Sequence, residues 1–383
     1  MTEGALRDGP AGRPNSSSDQ AQAPEPETTV FSLLDGATSQ SPIIAPELED
    51  QRRVAADRGR GLDERLEALD DIIESEIGDT SLSRARNIER RFGLRQIFLK
   101  FEGGSPTGTQ KDRIAFAHAQ DAVRRGFETL TGATCGNYGA ALALAASTAG
   151  LRALIFIPEG FKTKRTREML DCGAEIVRVP GDYEQAVALS MARAQAEELY
   201  DANPGGANTG LQLKAYGEIA YEIYDELRDA PVVLAAPVSN GTTLAGIHRG
   251  FVSLYRRGKT SRLPRLVAGS AHNKNPIVNS FLKNRPSCED LRPEAVRETA
   301  VNEPLINWHS IDGDQALEAI RLSSGWAANA SDKTLLSHSR LIREHEGLNV
   351  LPASTAGLAV LLERHRQSPL PGDRYVVVLT GRR

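Results

Sequence analysis

Short apolar runs alternating with helical patterns constrain this chain more than any other feature. Residues 96–101, 129–131, 153–158, 175–179, 231–238, 265–269 and 374–379 read as strands, several of them apolar almost throughout. Helical patterns follow the first four: Asp112 to Arg125 ended by Gly126, Ala140 to Ala149 stopped by Gly150, Thr163 to Cys172 ended by Gly173, and Tyr183 to Tyr200. Strands apolar on both faces belong in sheets covered on both sides, and a strand–helix repeat of roughly 20–25 residues signals parallel pairing. At 383 residues the chain exceeds one compact core. Two α/β lobes are therefore expected, with a ligand cleft at the carboxyl ends of their strands.

Outside this pattern, residues 1 to about 40 are rich in Pro, Ser, Gly, Gln and Ala. Such a segment buries too little apolar surface to offset its ordering entropy, so residues 1–45 are expected to form a disordered or loosely packed arm. The stretch 46–77 is strongly charged, yet Leu66, Leu69, Ile72 and Ile73 share one helical face that would cover the main body or a partner subunit. A net charge of −4 gives no reason to expect nucleic acid as a partner. Cys135, Cys172 and Cys288 are too few and too widely spaced for a disulfide framework or a zinc site, which fits a reducing cytoplasm. No apolar run approaches the roughly 20 residues that span a bilayer, so no membrane association is expected.

Three strand-end loops hold the residues suited to chemistry. Lys111 follows the small-residue stretch 103–110 and opens a helix. Desolvation and the positive helix end both disfavour its ammonium form, and a neutral amine is what Schiff-base chemistry requires; the plainer alternative is a surface lysine paired with Asp112. Asn137 lies in the turn Thr134-Cys135-Gly136-Asn137-Tyr138-Gly139, where small residues let backbone amides approach a carboxylate. Its amide would reach a ring hydroxyl or merely cap the following helix. The loop Ser239-Asn240-Gly241-Thr242-Thr243 joins a strand to a helix beginning near Leu244. Its N–H groups can form an anion nest, with the Thr242 and Thr243 hydroxyls as further donors, unless it is an ordinary turn. Together the three loops read as a site for an aldehyde cofactor carrying a phosphate. Nucleotide motifs fail: only Gly241 and Gly246 are present of a Gly-x-Gly-x-x-Gly, and Thr109 stands where a P-loop needs lysine.

On these motifs the chain resembles the threonine synthase-like branch of the tryptophan synthase β, or type II, fold of pyridoxal-phosphate enzymes, from about Ile77 to the C-terminus. Ile77-Gly78-Asp79-Thr80-Ser81-Leu82 is similar to the family's Gly-Asn-Thr-Pro-Leu, and Ser105 to Arg113 to Asn-Pro-Thr-Gly-Ser-Phe-Lys-Asp-Arg. Thr134 to Asn137 is similar to Ser-Ser/Thr-Gly-Asn, Pro237 to Ile247 to the phosphate-loop segment, and Leu379-Thr380-Gly381 to the strand end that meets the pyridine nitrogen. The resemblance implies pyridoxal 5'-phosphate as cofactor, with Lys111 as the catalytic Schiff-base lysine. It implies Asn137 at the phenolic oxygen, Ser239, Asn240, Gly241, Thr242 and Thr243 at the phosphate, and Thr380 at the ring nitrogen. Ser105, Thr107, Thr134, Cys135, Gly136 and Tyr138 are implied at the substrate. The implied fold is two-lobed α/β, with parallel-rich twisted sheets flanked by helices and the active site in the cleft. Residues 46–110 and 210–383 would form a large cofactor-binding domain and 111–209 a small mobile one, and a homodimer is implied.

The expected function is that of a lyase or synthase acting on a small amino-acid substrate with an activated side chain, threonine synthase-like in its elimination and replacement chemistry. A neutral hydroxyl at the pyridine nitrogen makes the ring a weaker electron sink and suits chemistry at the β carbon. Several positions depart from the family: Gln110 for Phe, Cys135 for Ser or Thr, Ser239 and Thr242 for glycines, and Leu351 for Glu. The segment 203–212 lacks the arginine of the Asn-Pro-Tyr-Arg region of threonine synthases. The alternatives are a β-replacement enzyme of cysteine or cysteate synthase type, a serine/threonine dehydratase, and a catalytically inactive cofactor-binding regulator. His272, Lys274, Asn275, Trp308 and His309 are expected at the cleft rim or in structural roles.

Overall fold

In this computed structural model the described residues are 44–134 and 136–383, and two sheets organise them. The strands are β1 (Leu82–Arg84), β2 (Ile97–Phe101), β3 (Thr129–Ala133), β4 (Arg152–Pro158), β5 (Glu175–Val179), β6 (Tyr200–Asp201), β7 (Val233–Pro237), β8 (Arg265–Ala271), β9 (Trp326–Ala330) and β10 (Tyr375–Leu379). Six form one sheet in the order β1-β2-β10-β7-β8-β9, and four form another in the order β5-β4-β3-β6. Every pairing is parallel except β1 with β2, the one short connection on the sheet's edge. The apolar run at 375–379 sits mid-sheet with every residue buried, Val376 lying opposite Phe98 on one side and Leu234 on the other.

β9 escapes the sequence pattern. Trp-Ala-Ala-Asn-Ala has little β propensity, and the strand forms because β8 presents a parallel edge, with Val267 paired to Trp326 and Ala271 to Ala330. The charged N-terminal helix Leu62–Glu76 covers the main body: Leu69 and Ile72 are fully buried, Leu66 and Ile73 partly, and the helix packs on Lys111–Arg124.

Small residues set the closest helix pair. The helices Thr209–Leu227 and Thr242–Arg256 approach through Gly217, Gly246 and Gly250. A Cβ on Gly250 would lie 2.4 Å from the Gly217 carbonyl oxygen. Among the described residues no helix is long and apolar enough to cross a membrane.

Candidate active site

Four strands end at one cleft. β2 leads into the lysine loop, β3 into the turn before Asn137, β7 into the 239–243 loop, and β10 into Thr380. The cleft has a volume of about 440 Å³. Tertiary bonding brings the lysine loop to β10: the Gln110 N–H donates to the Thr380 carbonyl at 3.1 Å, and Thr109 pairs with Gly381. Lys111, Thr134, Gly136, Asn137, Tyr138, all of 239–243 and Thr380 line the cleft.

Lys111 begins the helix Lys111–Arg124. Burial pushes its pKa down to about 8, opposed by the charge of Asp312. Its Nζ lies 5.9 Å from the ring centre of Tyr216 and 6.0 Å from that of Tyr138. Asp112 neither pairs with it nor caps the helix. The Asp112 carboxylate turns back into the loop, accepting from the Thr107 N–H at 2.9 Å and the Thr107 hydroxyl at 2.8 Å. Burial pushes its pKa up to about 7. The Thr107 hydroxyl thus braces the loop; Thr107 and Ser105 are both buried and are not among the residues that line the cleft.

Behind the lysine lies a buried charge network. Arg113 pairs with Glu102 and Glu222, each at 2.6 Å, and Lys100 pairs with Glu222 at 2.5 Å. Two cations and two carboxylates thus neutralise one another, as buried charges must. The helix start is thereby fixed to β2 and to the helix Thr209–Leu227.

Asn137 is the first residue of the helix Asn137–Thr148 and does not cap it. Its Oδ1 accepts from Arg165 Nη1 at 2.8 Å. A guanidinium can only donate, so the amide oxygen must face Arg165 and the NH₂ group is left as donor. Arg165 also donates to the Thr107 carbonyl at 2.8 Å and pairs with Glu168 at 2.6 Å. No spacing in the sequence marks Arg165. The Thr134 hydroxyl accepts from the amides of Gly136 at 2.9 Å and Gly139 at 3.0 Å, while the Tyr138 hydroxyl donates to the Ala202 carbonyl. The Tyr138 ring, rather than its hydroxyl, therefore faces Lys111. Cys135 lies outside the described residues.

The 239–243 loop is held from behind. Asp312 N–H donates to the Asn240 carbonyl at 3.0 Å, Asn307 Nδ2 to Asn240 Oδ1 at 2.8 Å, and Asn275 Nδ2 to the Ser239 carbonyl at 3.0 Å. Gly241 has φ +96°, and a Cβ there would lie 2.8 Å from the Asp312 carbonyl and from Ala316 Cβ. The Thr242 hydroxyl donates to Asp312 Oδ2, which leaves its backbone amide as the donor toward the cleft. The first-turn amides of the helix Thr242–Arg256 have no intrahelical acceptors, and their residues line the cleft. Asn307 and Asp312 were not legible in the sequence, because both reach this loop from far along the chain.

Of the expected rim residues, Trp308 lines the cleft and donates its indole N–H to Asp182 at 3.0 Å. His309 instead contacts Asp290 at 2.9 Å. Asn275 caps the helix Pro276–Leu282, Lys274 donates to the Arg297 carbonyl, and His272 lies away from the cleft.

Residues 73–381 match the family model for pyridoxal-phosphate dependent enzymes. The threonine synthase of Methanocaldococcus jannaschii is 28% identical over 305 residues, covering 79% of this chain and 74% of its own. That of Synechocystis sp. is 33% identical over 306 residues, covering 79% and 76%. Among solved structures, maize serine racemase superposes with a TM-score of 0.68 at 17% identity, over 82% of this chain and 92% of its own. The threonine deaminase of T.th. gives 0.67 at 21%, over 82% and 96%. These likenesses show the type II α/β fold.

The residues at the cleft fit pyridoxal 5'-phosphate. They offer a half-buried lysine with a lowered pKa, an amide whose free end can only donate, and a loop of amides at a helix start with no room for a side chain at Gly241. The Thr380 hydroxyl stands 3.2 Å from Ser354 Oγ at the end of β10, a neutral partner for a ring nitrogen. Fold, donor set and family match agree, and the chain belongs to the family of pyridoxal-phosphate dependent enzymes, with pyridoxal 5'-phosphate as its cofactor.

Proposed function

We propose that this protein is a lyase or synthase acting on an amino acid with an activated side chain, by threonine synthase-like elimination and replacement. The observation that carries this reading is Lys111: a half-buried lysine, its pKa lowered to about 8 by desolvation, lining a cleft built from four strand ends. Lys111 would hold the cofactor's aldehyde, Asn137 its phenolic oxygen, the 239–243 amides its phosphate, and Thr380 its ring nitrogen. When bound, pyridoxal phosphate supplies an electron sink for the bond broken at the substrate Cα. Lys111 Nζ would take the proton from the substrate Cα and return it later, a general acid–base role suited to a pKa near neutrality. The amides at the start of the helix Asn137–Thr148 suit a substrate carboxylate. Residues 46–110 and 210–383 would carry the cofactor, and 111–209 would form a smaller lobe closing over the substrate.

A second reading is β-replacement or deamination, and the segment 203–212 favours it. Pro204 and Gln212 from that segment line the cleft, where its sequence departs from the threonine synthase pattern. Product analysis separates the readings: ammonia with a keto acid means deamination, and a new amino acid means replacement. For either, Lys111→Ala should abolish turnover while circular dichroism and thermal unfolding still report a folded chain. Near-wild-type turnover in that variant would sink both.

A further inference from the structure

Outside the 239–243 loop the polar lining of the cleft is rich in hydrogen-bond acceptors. Gln212 is 1% exposed and lines the cleft. A chain of hydrogen bonds fixes which way its amide faces. The Tyr200 hydroxyl donates to Asp121 at 2.9 Å, so Tyr200 must accept from His118 Nδ1 at 3.1 Å. Burial pushes the His118 pKa down to about 4, so the ring is neutral and its Nε2 is a bare acceptor. Gln212 Nε2 therefore donates, at 2.9 Å to His118 Nε2 and at 2.9 Å to the Asn203 carbonyl. Both amide hydrogens are engaged, and the buried Gln212 Oε1 has no partner.

A second cleft acceptor sits on the half-buried Glu184, whose carboxyl is also approached by the backbone of Glu184, Trp308 and His309. Glu184 Oε1 is buried without a hydrogen-bond partner. Buried polar atoms are nearly always paired, and two acceptors left over at one cleft call for a ligand that brings donors. Charge points the same way. Among the described lining residues the charged groups are Lys111 and four acids: Asp182, Glu184, Glu298 and Glu303. Burial and the charge of Glu298 push Glu303 up to about 7, the response of a carboxyl lacking a nearby cation. Arg165 is close but already paired with Glu168, and Lys162 and Lys164 are exposed and outside the lining. A phosphate monoester has no N–H to give these acceptors, and its charge would be repelled by the acids.

We propose that this lining selects an amino acid whose side chain ends in an amino group, and that it rejects a phosphorylated side chain. The inference rests on the cofactor site proposed above and names its substrate class. Gln212 Oε1 and the carboxylates receive the ammonium hydrogens, while the phosphate of the cofactor is held apart by the 239–243 amides.

The test is calorimetric titration of the cofactor-loaded full chain with L-2,3-diaminopropionate, L-2,4-diaminobutyrate, L-aspartate and O-phospho-L-serine, with the cofactor absorbance followed in parallel. At least one diamino acid should bind about tenfold or more tighter than either anionic probe, a factor of about 1.4 kcal/mol. That preference should shrink toward parity in Glu303→Gln, Glu184→Gln and Gln212→Met, three variants that keep side-chain size so that misfolding of one leaves the others informative. Equal or tighter binding of the anionic probes overturns the proposal, as does a preference unmoved by all three variants or binding of none of the four. Failure of the functional reading looks different: it removes the Lys111-dependent absorbance band, while the calorimetric ranking still decides the inference.

Discussion

At the scale of single residues, two half-buried groups have consequences that can be measured by changing pH. Lys111 has a pKa lowered to about 8, so its reactive neutral form is gained as pH rises through that value. The rate at which cofactor-free protein captures pyridoxal phosphate should therefore rise with pH and level off above about 8, read by stopped-flow absorbance. A rate that is flat across this range would show that the amine does not limit capture. Glu222 behaves oppositely. Arg113 and Lys100 hold it down to about 2 against its burial. Its stabilisation is fully present above the unfolded value near 4.5 and is lost as pH falls toward about 2, on the order of 3 kcal/mol in all. Wild type should exceed Glu222→Gln in thermal stability near neutrality, with the gap closing as pH falls below about 4.5. Lys111 was legible because a lysine after a small-residue strand-end loop is uncommon and informative. Glu222 was not, since it stands in an ordinary helical run and matters only through Arg113 and Lys100.

At the scale of elements, the glycines of the crossing between Thr209–Leu227 and Thr242–Arg256 control how the phosphate-site helix is seated. Gly250→Ala places a methyl group 2.4 Å from the Gly217 carbonyl, against backbone that cannot swing aside. It should destabilise by about 1–3 kcal/mol, read as a lower urea midpoint. Gly210→Ala, in the first turn of the same helix pair with nothing near its Cβ, should be neutral or slightly stabilising. No loss, or a gain, in Gly250→Ala would mean that helix propensity, not close approach, governs the pair. The apolar strands β4, β5, β7, β8 and β10 were readable from their runs, and the N-terminal helix from its face. β9 was not, because its alanines gain strand character only beside β8. Nor was the role of Asp112, which reads in the sequence as a partner for Lys111 and is instead a brace for Thr107.

At the scale of the whole molecule, the cleft is a place where two sheets present the ends of their strands to one another. The loop carrying Trp308 reaches from the six-stranded side to Asp182, at the start of the helix Tyr183–Ala196 that packs on β3 and β4. Trp308 and Trp326 are the two tryptophans of the chain. In a Trp326→Phe background, saturating amino-acid ligand should change the emission of Trp308, because the indole and its partner Asp182 both line the cleft. An unchanged spectrum would show that this part of the lining does not respond to binding.

The sequence by itself determined the α/β class, the cofactor and the segments that meet at its site. Those signals are local: apolar runs, glycine turns and short motifs are written in neighbouring residues, and chemistry constrains each of them separately. Only the tertiary structure decided which polar atoms remain without partners. Whether Thr242 is free depends on Asp312, which way Asn137 points depends on Arg165, and the bare acceptor of Gln212 depends on His118, Tyr200 and Asp121. Hydrogen-bond satisfaction is a property of pairs brought together across long stretches of chain, so it cannot be read from either partner alone.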